Sequence, residues 1–431
     1  MIHLSVSLLM MLTLILAGMW ISVSIGISGI YALFLKIGAS KTLNIVALQC
    51  WSTSTSFVLA CVPLFVFMGE FLSASGIIKR VYDGLNKAIA GIPGELEQTN
   101  IAACAVFAAA SGSSLAGSAT MGKISWVELV HNRGYDKRLT LGCIAAGGTL
   151  GILIPPSIIF IIYGVTVEES IGQLFVAGII PGLILTSLFM FYVAARSIFN
   201  PRLTPRGMER FSLRERFIGL LAIWPFLLLI TVVLGSMYLG LATPTEAAAM
   251  GSSGSILIAL LYRILTWQSL LDSAIATVRT TSMIFLIVMS AKFLGMALGY
   301  YGASKFVSQW IIGFGSPLSI FLFTVGLYLI LGCFFDAITM IVLTVPLILP
   351  AFEHLGFSKI WFGVVITILM EAGLLTPPVG VNLFIMQGVT GESLEEVAKG
   401  SAPFVGLMLL LLSLIYLWPS LATWLPRVLY S

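Results

Sequence analysis

The chain has 431 residues, of which 59% are hydrophobic and only 9% charged, with a net charge of +4. Soluble domains run to roughly 45–50% apolar and about 25% charged residues. That gap excludes a soluble enzyme, a disordered chain and a nucleic-acid binder, and makes the unit of organisation the membrane span of about 20 apolar residues.

In chain order, apolar stretches fall at about 4–35, 56–77, 98–129, 139–163, 172–196, 217–240, 243–264, 277–299, 317–351, 360–388 and 402–425. The first lacks a basic leader region and its apolar character resumes at once, so it reads as a retained span. Continuous runs without period-2 alternation exclude a β-barrel and predict an all-α polytopic membrane protein. The five cysteines have no CxxC spacing and read as small core residues; the three histidines have no metal-ligand spacing, so no transition metal is expected. GxxxG spacings at Gly147–Gly151, Gly178–Gly182 and Gly295–Gly299 suit close helix contact in lipid.

Two stretches are interrupted midway. In 98–129 the break is Ser111-Gly112-Ser113-Ser114, and in 317–351 it is Gly332-Cys333-Phe334-Phe335-Asp336. Arms of about 14 residues, roughly 21 Å of helix, are too short to cross. Both read as re-entrant hairpins with polar tips at mid-membrane depth, the alternative being one kinked crossing each. Each is followed by a Pro-Pro break: Gly151, Pro155, Pro156, Gly178 and Pro181 recur at Gly373, Pro377, Pro378, Gly400 and Pro403, every pair 222 positions apart.

The basic loops 131–138 (His131, Arg133, Lys137, Arg138) and 196–216 (Arg196, Arg202, Arg206, Arg210, Arg214, Arg216 against Glu209 and Glu215) are expected in the cytoplasm, and the acidic turn 164–171 outside. Counting crossings from there gives the two copies opposite orientation. Inverted repeats, each with a broken helix, are a signature of secondary transporters.

Proline removes an N–H and frees carbonyls one turn back. Such carbonyls with Ser/Thr hydroxyls suit a hard cation such as Na+, and half-helix N-termini suit an anionic substrate group. One candidate ion site is therefore Ser111, Ser113 and Ser114 with Gly151–Pro155; the other is Gly332 to Asp336 with Gly373, Thr376 and Pro377. Purely structural proline kinks are the bland alternative. Asp336 could serve as ion ligand, substrate contact or proton carrier. Asn382 could bond substrate or pack helices. Lys292 could pair with a substrate carboxylate, snorkel, or pair with an internal acid. Glu70, Glu246 and Glu371 read as structural hydrogen-bonding groups. Gly117-SATM-Gly122-Lys123 matches a P-loop only in part: Ile124 stands where Ser/Thr would bind Mg²⁺, and no strand precedes it.

These residues carry a resemblance. PLFVFMGEFL (63–72), SGSSLAGSAT (111–120), GGTLGILIPPSI (147–158), GLATPTEAAAM (240–250) and GLLTPPVGVNLF (373–384) resemble the large membrane subunit of TRAP (tripartite ATP-independent periplasmic) transporters. The resemblance implies an elevator-type fold of the ion-transporter superfamily, located in the bacterial inner membrane. It implies Na+ as co-transported ion, an organic acid as cargo, a periplasmic substrate-binding protein, and a small four-helix membrane subunit as a separate chain. Na+ sites would map to Ser113, Ser114, Gly151 and Pro155, then Gly332, Asp336, Gly373, Thr376 and Pro377. Substrate contacts would come from Ser113, Ser114, Asp336, Asn382 and Lys292. The scaffold would be 1–95 and 216–312, the transport domain 96–200 and 313–431, joined by a basic cytoplasmic loop, 201–215. The runner-up is a self-sufficient Na+- or H+-coupled carboxylate symporter of the same superfamily. A serine hydrolase lacks a paired histidine within the spans, and a passive channel needs no inverted broken helices.

Overall fold

The computed structural model describes residues 2–205 and 211–430; Arg206, Glu209 and Arg210 of the basic loop lie outside these. Among the described residues every regular element is helical, as the all-α expectation requires. Among the described residues four helices are long and apolar enough to cross a membrane: Ile171–Phe199, Trp267–Tyr300, Ala337–His354 and Leu394–Leu417. Further apolar spans are bent pairs. Leu213–Tyr238 bends by 43° between Leu221 and Ile223, because the Pro225 ring clashes with the carbonyl four residues back. Its outward face carries exposed Leu220, Trp224, Leu227, Leu228 and Val232, a surface that suits lipid rather than water.

The first stretch is a correction. It is not one span but two helices, Ile2–Leu16 and Ile21–Ile37. The chain turns at Gly18, whose φ of +84° only glycine adopts without strain. The second of these helices packs along Trp267–Tyr300 through its own glycines: a Cβ on Gly26 would lie 2.8 Å from Ser290 Oγ, and one on Gly29 2.9 Å from Leu294 Cα. Small residues let helices approach closely where lipid offers no hydrophobic drive between them. Of the predicted GxxxG pairs, Gly147, Gly151, Gly178 and Gly182 are all at such contacts, whereas Gly295 and Gly299 face open space.

Both interrupted stretches double back. The first runs Leu96–Ser111, then Ser114–Trp126. The Ser125 hydroxyl donates to Asn100 Oδ1 at 3.1 Å; along a straight helix those residues would stand about 37 Å apart. The second runs Pro317–Gly332, then Ala337–His354, and Tyr328 and Thr344 hydrogen-bond through their hydroxyls. A kinked crossing would keep these pairs apart, so both are hairpins. The final arm is longer than expected, 18 residues, because Pro346 and Pro350 are absorbed in the helix.

The broken helices match their expected positions. The first is Lys137–Leu153 and Ile158–Val167, bent by 41°; the second is Lys359–Leu374 and Val381–Thr390. Asp136 caps one, accepting from Leu139 N–H at 2.9 Å, and Ser358 caps the other, accepting from Trp361 N–H at 3.2 Å. Their ends meet head to tail at both faces. The Tyr163 hydroxyl donates to the Lys359 carbonyl at 2.7 Å, and Lys359 Nζ to the Val167 carbonyl at 2.9 Å. At the opposite face Lys137 pairs with Glu392 at 2.7 Å and Arg138 with Glu396 at 2.7 Å. The start of each copy therefore lies at the end of the other, which is the inversion that the crossing count required.

Candidate functional site

Each hairpin tip rests on the break of its own copy. At the first tip, Gly112 has φ +56°, and a Cβ there would lie 2.8 Å from the Pro156 carbonyl oxygen. Both conditions demand glycine. The Gly112 carbonyl accepts from Ile158 N–H at 3.4 Å. Ser113 caps the second arm, its hydroxyl accepting from Ala116 N–H at 3.4 Å, while its carbonyl comes within 3.0 Å of a Cβ placed on Gly151. The Ser111 hydroxyl donates to that same carbonyl at 3.5 Å. Ser111, Ser113, Ser114 and Gly151 thus stand together at the first break, with Pro156 and Ile158 meeting Gly112.

The second tip repeats the arrangement with different side chains. Gly332 and Gly373 touch through their backbones: a Cβ on Gly332 would stand 2.5 Å from Gly373 Cα. Cys333 Sγ donates to the Pro377 carbonyl at 3.2 Å and contacts that of Thr376 at 3.6 Å. The Thr376 hydroxyl donates back to the Ala372 carbonyl at 2.7 Å. Asp336 caps the second arm: Oδ2 accepts from Ile338 N–H at 3.1 Å and Thr339 N–H at 3.2 Å, and Oδ1 accepts from the Thr339 hydroxyl at 2.5 Å. Gly332 and Cys333 are accordingly neighbours of Gly373, Thr376 and Pro377, and Asp336 caps the arm that leaves the same tip.

The two tips converge. A cavity of about 110 Å³ is lined from the first by Gly112, Ser113 and Ser114, from the second by Asp336, Ala337 and Ile338, and from Trp267–Tyr300 by Thr280, Met283 and Ile284. Oxygen donors suit a hard cation. Ser114 Oγ lies beside the buried carboxyl of Glu371, which the second broken helix brings to the first tip. Glu246 is a structural hydrogen-bonding group, accepting from the Thr243 N–H and hydroxyl at 2.8 Å.

Two expected substrate residues stand apart from this cavity. Asn382 is fully buried with neither amide atom paired. Lys292 is half-buried and lines neither the cavity nor the cleft beside it. That cleft, about 900 Å³, is lined by Met19, Trp20, Ser22, Arg279, Thr280, Ser282 and Asp336 among others. Arg279 is the residue that sequence reading passed over. It was hidden inside an apolar run, and only an inventory of charges within the predicted spans would have raised it. The partial P-loop match is part of the helix Ser114–Trp126 and makes no phosphate loop.

Inverted copies, paired hairpins and broken helices around a common cavity define a polytopic membrane transporter. Residues 8–421 match the family model of the DctM component of tripartite ATP-independent periplasmic transporters, and the chain belongs to that family as a large membrane subunit. It is 33% identical over 409 residues to the C4-dicarboxylate TRAP transporter large permease protein DctM of Pseudomonas aeruginosa, covering 94% of both chains. It is 32% identical over 380 residues to the sialic acid TRAP transporter permease protein SiaT of Haemophilus influenzae, covering 87% of this chain and 60% of that one. It is 31% identical over 402 residues to the isethionate TRAP transporter permease protein DctMQ of Oleidesulfovibrio alaskensis, covering 91% and 62%. Among solved structures, the Alcanivorax borkumensis YdaH transporter shares the fold, with a TM-score of 0.62 at 13% identity over 90% of this chain and 89% of that one.

Proposed function

We propose that this subunit carries an organic acid into the cell, driven by Na+ and fed by a periplasmic binding protein, with a small four-helix membrane subunit as its second partner in the bacterial inner membrane. The observation that carries the reading is the pairing of each polar tip with the Pro-Pro break of its own inverted copy. Ser111, Ser113, Ser114, Gly151 and Pro155 would hold one Na+; Gly332, Asp336, Gly373, Thr376 and Pro377 would hold another. Binding of the ions fastens each hairpin to its broken helix, and the anion then binds between the two tips.

Residues 96–200 and 313–431 would move as one transport domain against a scaffold of 1–95 and 216–312, with 201–215 as cytoplasmic connector, in elevator-type alternating access. Head-to-tail contact of the broken helices supports treating both copies as one body. Each net positive charge carried inward draws about 2.3 kcal/mol per 100 mV of membrane potential, so excess Na+ over anion charge would couple uptake to that potential as well.

The test is uptake into proteoliposomes holding this chain and its small subunit, with a ligand-loaded binding protein outside. An inward Na+ gradient should drive uptake, and omission of the binding protein should abolish it. Uptake by this chain alone, or by a proton gradient in the absence of Na+, would replace the reading with a self-sufficient symporter.

A further inference from the structure

We infer that Arg279 is the scaffold-side receptor for a carboxylate of the transported anion, an inference that rests on the organic-acid reading above. Arg279 lies twelve residues into Trp267–Tyr300, about 18 Å from its start. It is the third residue of the apolar stretch 277–299, and a charge there is held where it lines a polar space. Among the described residues no ion pair or hydrogen bond involves its guanidinium. The side chain is exposed, and it is exposed into the cleft.

The cleft is of a size that takes a small molecule, and it is continuous with the tips. Thr280, Met283 and Asp336 line both the cleft and the cavity between the hairpins. The charged residues lining the cleft are Arg279 and Asp336. Asp336 is already occupied by the Ile338 and Thr339 N–H groups and the Thr339 hydroxyl, and it is not within ion-pair distance of Arg279. Its negative charge also offsets the dipole of its own helix N-terminus. The first tip differs in its cap: the neutral Ser113 stands where Asp336 stands at the second, although the Glu371 carboxyl lies beside Ser114. An anion seated between the tips therefore meets the guanidinium of Arg279 on the scaffold side. The planar fork of arginine matches a carboxylate in two parallel hydrogen bonds.

Lys292, named among the expected substrate contacts, does not line this cleft. It stands thirteen residues further along the same helix, about 20 Å away, and is rotated roughly 220° around the axis.

The experiment compares wild-type complex with Arg279→Gln and Arg279→Lys in the proteoliposome system, using succinate, pyruvate and N-acetylneuraminate as probes with matching binding proteins. Wild-type Na+-driven uptake of at least one probe tests the organic-acid reading; its failure for all three removes that reading, and this inference with it. For the probe that is carried, Arg279→Gln should raise the half-saturating anion concentration about tenfold to a hundredfold, the usual loss for a hydrogen bond to a charged group. Arg279→Lys, which keeps the charge but not the fork, should fall between. The half-saturating Na+ concentration at saturating anion should stay within about twofold. Thermal unfolding and co-purification of the small subunit check that each variant is assembled. Unchanged anion saturation in an assembled Arg279→Gln complex overturns the assignment. So does loss of the small subunit, which would place the guanidinium at a subunit interface.

Discussion

Replacement of Gly332 by alanine tests whether tip and break must touch. The added methyl would lie 2.5 Å from Gly373 Cα and 2.7 Å from its carbonyl carbon. Ordinary carbon contacts are about 3.5–4.0 Å, so the tip has to withdraw from the break by about 1 Å. Both partners are backbone atoms, and no side-chain rotation can relieve the overlap. Overpacking of this kind costs about 1–3 kcal/mol. If the ion bridges tip and break, that cost appears as weakened ion binding, and at about 1.4 kcal/mol per tenfold the half-saturating Na+ concentration should rise between about fivefold and a hundredfold. The assay is the initial rate of uptake in proteoliposomes, titrated with Na+. Gly326→Ala is the control: it lies on the same arm, and a Cβ there meets nothing within 4 Å. It should titrate as wild type, with thermal stability equal or slightly raised by the better helix former. A Gly332→Ala protein that titrates like Gly326→Ala would refute the idea that ion binding depends on this contact.

Other expectations follow from the same geometry. Asp336→Asn keeps a helix cap of equal quality but removes the charge, so Na+ response should weaken with little change in thermal stability, whereas Asp336→Ala should also lose about 1 kcal/mol of stability. Ser114→Ala should weaken the Na+ response too, and an unchanged response in both Ser114→Ala and Asp336→Asn would sink the site assignment. Tyr163→Phe, which removes the hydroxyl bond to the Lys359 carbonyl, should lower stability by about 1 kcal/mol in thermal or denaturant unfolding. Arg138→Glu should lower the thermal midpoint by placing like charge against Glu396, and adding Glu396→Arg should restore it; failure of that rescue would contradict the head-to-tail pairing seen at this face.

The sequence announced its breaks more clearly than its boundaries. Gly and Pro punctuate backbone geometry directly, so five of them repeating at a spacing of 222 located both Pro-Pro breaks, while the polar interruptions Ser111–Ser114 and Gly332–Asp336 located both hairpins. Hydropathy served less well where helices are short or amphipathic. Ala39–Ser54 and Ile77–Ile89 mix polar and apolar residues and escape a search for continuous apolar runs. The turn at Gly18 lies within an apolar run that shows no drop in hydropathy. The fate of a GxxxG pair depends on what stands opposite, which explains why Gly178 and Gly182 are used while Gly295 and Gly299 are not. Side-chain facing was the hardest to read: Lys292 and Arg279 share one helix, and only its rotation against the hairpins decides which of them reaches the cleft.

The central claim is that two polar tips, one in each inverted copy, each hold an ion that drives uptake. The measurement that bears on it most directly is uptake by the assembled complex as a function of Na+ concentration, in wild type and in Gly332→Ala. Two coupled ions predict a sigmoidal curve with a Hill coefficient above one, shifted to higher Na+ in the variant. A hyperbolic wild-type curve, or uptake indifferent to Na+, would contradict the account.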